Sequence, residues 1–251
     1  MTKKIVFFSL LLASTITLAQ EKILLRLNYT KGDSYTMYIK TAQVMGMGAM
    51  TNNMEMTMQY IINNASTDDG FEVEAKCKKI VVNISQGGRQ VVYDSSKSDK
   101  ELNKELDEAV KMIKSNMEPM LKTKISLKGN NLGEITEVKM EPKNSGAEQF
   151  ANQANNIVYP EKAVAVGDTW TRNININGVT MDFIYKIKSI EDKTVALEIS
   201  GEVSGIGEGT ISGASQVDRK SGALIESKID MNIKMQGQEL TSKTTVSMIK
   251  S

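Results

Sequence analysis

Phe71-Glu72-Val73-Glu74-Ala75-Lys76-Cys77 carries an apolar side chain at every odd position and a charged one at every even position. Successive side chains of a strand point to opposite faces, so this stretch predicts a strand with one face buried and one in water. Beyond Cys77 the apolar residues change phase before Ile80, which predicts a bulge or bend that swaps the inward face. Such bends belong to strongly curved sheets. Working outward, the segments 35–47, 54–62, 71–84, 181–190, 195–203, 223–235 and 240–249 alternate with a period of two or run β-branched.

Two segments break that period. Across 98–121 the apolar residues Leu102, Leu106, Ala109, Val110, Ile113, Met117, Met120 and Leu121 recur at helical spacing, and Ser98 with Glu101 forms a capping box. The second runs over 145–157, opened by Ser145 and Glu148 and striped by Ala147, Phe150, Ala151, Ala154 and Ile157; Pro160 prevents its continuation. The expected fold is α+β: a strongly curved, mostly antiparallel, half-barrel-like sheet with two inserted helices covering one face.

A faint repeat orders the strands. Gly32-Asp-Ser-Tyr-Thr36 recurs as Gly167-Asp-Thr-Trp-Thr171, a turn followed by a strand that opens with an aromatic. Tyr60-Ile-Ile62 and Tyr185-Lys-Ile187 follow, then Val73-Glu-Ala75 and Val195-Ala-Leu197. Asn131-Leu-Gly133-Glu-Ile135 and Asp218-Arg-Lys-Ser-Gly222-Ala-Leu224 end each copy as hairpin turns. The halves, about 20–142 and 158–251, are linked by the helix 145–157 and either pair into one sheet or pack as two lobes.

Lys3 and Lys4, the apolar run 5–12 and Thr17-Leu18-Ala19 read as an export signal over 1–19, leaving 20–251 as a single β-rich domain. That places the protein in the periplasm or outside the cell. Gln20 stands where a bacterial lipoprotein carries its lipid-accepting cysteine, so no lipid anchor is expected. No later segment is apolar for the roughly 18 residues a membrane helix needs. The 251 residues carry a net charge of +1, which becomes about −1 without Lys3 and Lys4 and argues against nucleic acid as a partner.

Histidine is absent altogether, which removes Ser-His and Cys-His nucleophile pairs, the commonest neutral-pH base and most zinc sites. Asp33, Asp68, Asp69, Asp168 and Asp192 sit where turns need them. No catalytic residue, enzyme activity or cofactor is therefore expected. Cys77, the single cysteine, shares the apolar face of its strand and reads as an inert buried thiol. Trp170 reads as a structural anchor. Glycines 201, 205, 207, 209 and 213 match neither the dinucleotide nor the Walker spacing, and bends in a curved sheet account for them.

Methionines 45, 47, 50, 54, 56 and 58 crowd one stretch, and Met54, Met56 and Met58 share a strand face. Three readings fit them: core packing, an adaptable apolar wall for a ligand, or a thioether site for Cu(I) or Ag(I) at Met45, Met47, Met54 and Met56. With helix residues Leu106, Val110 and Ile113, the first strand trio forms the expected ligand lining.

The succession Val158-Tyr-Pro-Glu-Lys-Ala-Val164 through Gly167-Asp-Thr-Trp170, with Lys31-Gly-Asp-Ser-Tyr35 and Val92-Tyr-Asp-Ser95, resembles a family of secreted proteins of unknown function found mainly in Bacteroidetes. Its motifs are turn-and-strand signatures that carry no chemistry. The layout is also similar to the half-barrel of lipoprotein carriers such as the LolA and LppX groups, where helices cover a concave apolar face. That resemblance implies non-catalytic binding of a lipid or acyl-bearing molecule. The alternative is an envelope or surface module that binds another protein and has no ligand cavity.

Overall fold

The computed structural model describes residues 21–66, 70–98, 108–143, 157–176, 178–235 and 237–251. In chain order the elements are β1 (Lys22–Ile23), β2 (Ser34–Met45), β3 (Met50–Ser66), β4 (Gly70–Gln86), β5 (Arg89–Asp94), α1 (Glu108–Lys122), β6 (Lys124–Gly129) and β7 (Ile135–Glu141). They continue as β8 (Val164–Ala165), β9 (Thr169–Ile176), β10 (Val179–Ile190), β11 (Thr194–Gly205), β12 (Glu208–Asp218), β13 (Leu224–Met235) and β14 (Gln238–Lys250). The predicted export signal 1–19 and, except for Ile157, the predicted helix 145–157 lie outside the described residues. So do residues 99–107 of the first predicted helix, Leu102 and Leu106 among them.

Alternation produces the expected strands, and they join into one 12-stranded antiparallel sheet in the order β7-β6-β4-β3-β2-β14-β13-β12-β11-β10-β9, with β5 beside the later part of β4. The two halves are therefore not separate lobes. The last strand, β14, fills the seam between them, pairing with β2 from Leu240↔Met45 to Lys250↔Tyr35. The sheet does not close, since β7 and β9 form its two ends. A separate pair, β1 with β8, joins Ile23 to Val164.

The repeat is visible as matched hydrogen bonds. Gly32 N donates to Ile62 O at 2.8 Å and Ile62 N to Asp33 O at 2.9 Å; Gly167 N donates to Ile187 O at 2.9 Å and Ile187 N to Asp168 O at 3.0 Å. Immediately past Ile62 and past Ile187 the register skips a residue, so both copies bulge at the same point. Tyr35 pairs with Tyr60 as Trp170 does with Tyr185. One correspondence shifts: Val73 faces Ile62 whereas Leu197 faces Ile187, so Leu197 rather than Val195 is the equivalent of Val73.

The phase change in β4 also needs correction. The register skips Lys78, setting Cys77 opposite Met58 and Ile80 opposite Met56. The extra residue restores the inward face instead of swapping it, so Phe71, Val73, Ala75, Cys77, Ile80 and Val82 are all buried. Outward-facing Glu74 takes Lys124 at 2.7 Å and Lys76 at 3.1 Å, and hydrogen bonds from the two ammonium groups hold its carboxyl below its ordinary pKa. Such surface pairs add little stability.

Backbone approaches closely at two glycines of β11 and β12. A Cβ at Gly201 would stand 2.1 Å from Asp182 O, and one at Gly213 would stand 2.2 Å from Lys228 O. Neither position admits a side chain without moving backbone. Glycine alternates there with large apolar neighbours: Gly201 lies between Phe183 and Ile211, and Gly213 between Ile199 and Ile229.

The described residues contain one helix, not the two expected. α1 packs on β4 and β5, and Val110 is buried in the same cluster as Met56, Ile80, Val82 and Tyr93. Ile113, Met117, Met120 and Leu121 complete its apolar stripe, as the 3.6-residue spacing predicts.

Candidate functional site

The concave face has two unlike ends. At the end holding the Gly32 and Gly167 turns, the segments 21–30 and 157–165 cross the sheet. Leu27 N donates to Asn131 O at 2.8 Å, Asn28 N to Ser221 O at 2.8 Å and Tyr159 N to Leu132 O at 2.8 Å, stitching both segments to the two hairpin turns of the repeat. The Tyr159 hydroxyl donates to Gly222 O at 2.6 Å, and burial pushes its pKa far up. Leu25 of the first segment and Ile187, Val195, Leu197 and Val217 of the sheet are all almost fully buried. Tyr29 packs edge-on against Tyr35 and Phe71, with ring centroids 5.6 and 5.3 Å apart. Only a void of about 50 Å³ remains there.

Trp170 anchors the other crossing segment: its indole N–H donates to Val158 O at 2.8 Å while its ring stacks on Tyr185 at 5.4 Å. The structural reading of this residue fits its surroundings. Cys77 is buried, its Sγ lies 3.7 Å from Lys79 O, and burial raises its pKa to about 11, so the thiolate is disfavoured.

Nearer the hairpin tips no segment of the described residues crosses, and the sheet wraps around a cavity of about 300 Å³. One wall comes from Met37, Ile39 and Met54 on β2 and β3, the other from Ile174, Ile176, Met181 and Phe183 on β9 and β10. Strands β13 and β14 supply Ile229, Met231, Ser242, Thr244 and Val246 between them. A volume of this size lies at the lower edge of ordinary ligand sites, and its wall is mostly apolar, as such sites require.

A polar band interrupts that wall. Thr41 faces Thr244 across the seam, with their hydroxyls 3.3 Å apart, and one row further Gln43 faces both Ser242 and Asn52. Asn52 Nδ2 donates to Gln43 Oε1 at 3.2 Å, while Asn52 Oδ1 is buried and has no partner. Among the described residues no charged side chain lines the cavity. Tyr60, in the wall, is kept neutral by burial, which moves its pKa to about 12.

The predicted lining is only partly brought to this cavity. Met54 lines it; Met56 and Met58 share its strand face but are covered, at 3% and 1% exposure, where β4 and α1 pack. Val110 and Ile113 seal the helix against the sheet and do not reach the cavity, and Leu106 lies outside the described residues. Sequence reasoning missed the opposite wall, Ile174 to Phe183, and the polar band.

The four methionines of the thioether reading are scattered. Met47 stands 95% exposed at the β2–β3 tip, where its φ is 52°, whereas Met56 is in the core. Met56 pairs with Ile39, and Met45 lies six residues further along β2, about 20 Å at the rise of a strand. Among the described residues no cluster of His, Cys, Asp or Glu forms a metal site, and no helix is long and apolar enough to cross a membrane.

Comparison with known proteins agrees with this picture at the level of fold. A model of a family of unknown function, DUF6263, matches residues 140–246. That span holds the second copy of the repeat. No curated protein matches the chain in sequence. Among solved structures, lipovitellin, in a study of its lipid–protein interactions, is similar with a TM-score of 0.58 at 7% identity, over 89% of this chain. The chain spans 25% of the lipovitellin chain, and the likeness is one of fold.

Proposed function

We propose that this protein is an exported, non-catalytic binder of an apolar molecule, a lipid or an acyl-bearing compound, held in the open half of the concave face. The observation that carries the proposal is the cavity of about 300 Å³ bounded by Met, Ile and Phe side chains from strands of both halves. Room for about ten water-sized groups, at roughly 30 Å³ each, matches part of an acyl chain. The sheet likeness to lipovitellin supports the same class of ligand. The absence of histidine and the turn roles of the aspartates support binding without chemistry. The export signal read in 1–19 supports binding outside the cytosol.

The test is native mass spectrometry of the protein purified from its own envelope, followed by solvent extraction. Co-purifying lipid that is lost in Met54→Asp and Phe183→Asp supports the carrier. A clean apo mass with no uptake of added lipid removes it. The protein-binding alternative rests on β9, an end strand whose backbone is paired on one side only and is open to strand addition; a pull-down that survives Phe183→Asp but fails with proline at Asn173 would favour it.

A further inference from the structure

Resting on that reading, we infer that the ligand is an uncharged amphiphile bearing a hydroxyl, seated on Gln43 and Ser242 beside Asn52.

The row is built from positions far apart in the chain and brought into register by the β2–β3 and β14–β2 pairings. With the neighbouring Thr41–Thr244 pair it forms a polar band between apolar rows. Towards the closed end come Met37, Ile39 and Met54; towards the tips Met45 pairs with Met50 and Leu240. Three polar side chains in such a place make a single hydrogen bond among them, Asn52 Nδ2 to Gln43 Oε1. Gln43 and Ser242, the latter 3% exposed, stand in the cavity wall, while Asn52 Oδ1 is buried beside them without a partner and does not itself line the cavity. A buried polar atom left unpaired is costly, so this row is incomplete without a visitor.

The chemistry of the visitor follows from what is absent. Among the described residues no lysine, arginine, aspartate or glutamate lines the cavity. An ionised carboxylate or ammonium would enter with no counter-charge, which is far costlier than burying a hydroxyl that finds partners. A pure hydrocarbon would strip water from the row and replace none of its bonds. A hydroxyl both donates and accepts. It therefore suits the row whichever way the two amides are turned, because turning Asn52 and Gln43 together keeps their bond and exchanges an unpaired acceptor for an unpaired donor.

The test compares three ten-carbon probes, 1-decanol, decanoate and decane, in displacing the neutral fluorophore N-phenyl-1-naphthylamine from the full-length mature protein at pH 8, where decanoate is ionised. Decanol is expected to displace at about tenfold lower concentration than either of the others. In Ser242→Ala and in Asn52→Leu, each shown folded by circular dichroism, the preference of decanol over decane should shrink towards one. Decanoate or decane binding as tightly as decanol to the wild-type protein overturns this inference while leaving the apolar cavity in place. Fluorophore that never binds, with none of the three probes taken up, removes the cavity reading itself.

Discussion

The two ends of one concave face, made of the same strands, have opposite fates. Where the segments 21–30 and 157–165 cross, Leu25, Tyr159 and Val164 fill the curve and the core is sealed. Where none of the described residues crosses, the same strands face each other over a cavity whose wall carries the polar band Thr41, Gln43, Ser242 and Thr244. The difference shows that sheet curvature makes the space and that irregular segments decide whether it is filled. A face packed to native density resists substitution, whereas a cavity wall has room to relax.

The sharpest way to break this comparison is at the sealed end. Gly222 has φ of 65°, and a Cβ there would stand 2.2 Å from Arg26 O. Gly222→Val should therefore push the crossing segment off the sheet and cost about 3 kcal/mol or more in urea unfolding. Next, Leu197→Ala, at a fully buried site, should cost about 2–5 kcal/mol, against about 1 kcal/mol for Met54→Ala in the cavity wall. Equal losses for the pair would mean that the cavity collapses or that the sealed end is loosely packed.

A smaller effect is expected from Tyr159→Phe, which removes the buried bond to Gly222 O and should lower stability by about 1–2 kcal/mol. If it costs nothing, the crossing segment is held by apolar contact alone. Acid should act through the turn beside it. Burial alone would raise the Asp218 pKa, but bonds from Ser221 N at 2.7 Å, Ser221 Oγ at 2.7 Å and Lys220 N at 3.1 Å outweigh it and hold the pKa below the ordinary value. A depressed carboxylate stabilises the fold above its unfolded pKa, so this contribution should fade as pH falls from the usual aspartate range through the lower folded value. Asp218→Asn should flatten that part of the pH–stability curve in thermal melts. At the open end Ser242→Ala should move stability by less than about 0.5 kcal/mol, leaving its effect to ligand preference.

Much of this was legible along the chain because strands and turns announce themselves locally. Phe71 to Cys77 alternates because one face meets the core and the other meets water, and the paired Gly-Asp turns mark both copies of the repeat. The stripe from Val110 to Leu121 gave a helix for the same kind of reason. Shorter strands were harder: β6, Lys-Ile-Ser-Leu-Lys-Gly over Lys124–Gly129, alternates too briefly to stand out beside a helical stripe.

The candidate site was legible only in part. Met54, Met56 and Met58 follow one period, so the sequence could place them on one face but could not say which of them meets empty space. That depends on α1 and on β4, whose skipped Lys78 keeps Cys77 and Ile80 behind Met58 and Met56. Gln43 and Ser242 meet because the last strand of the chain returns to the first long one, and no local pattern records that pairing. By itself the sequence determined strands, turns, the repeat and the absence of histidine chemistry, since these rest on residue type and spacing over a few positions. Tertiary structure alone decided the single continuous sheet, the filled and empty ends of its concave face and the polar row across the seam, because long-range pairing and the packing of crossing segments set those.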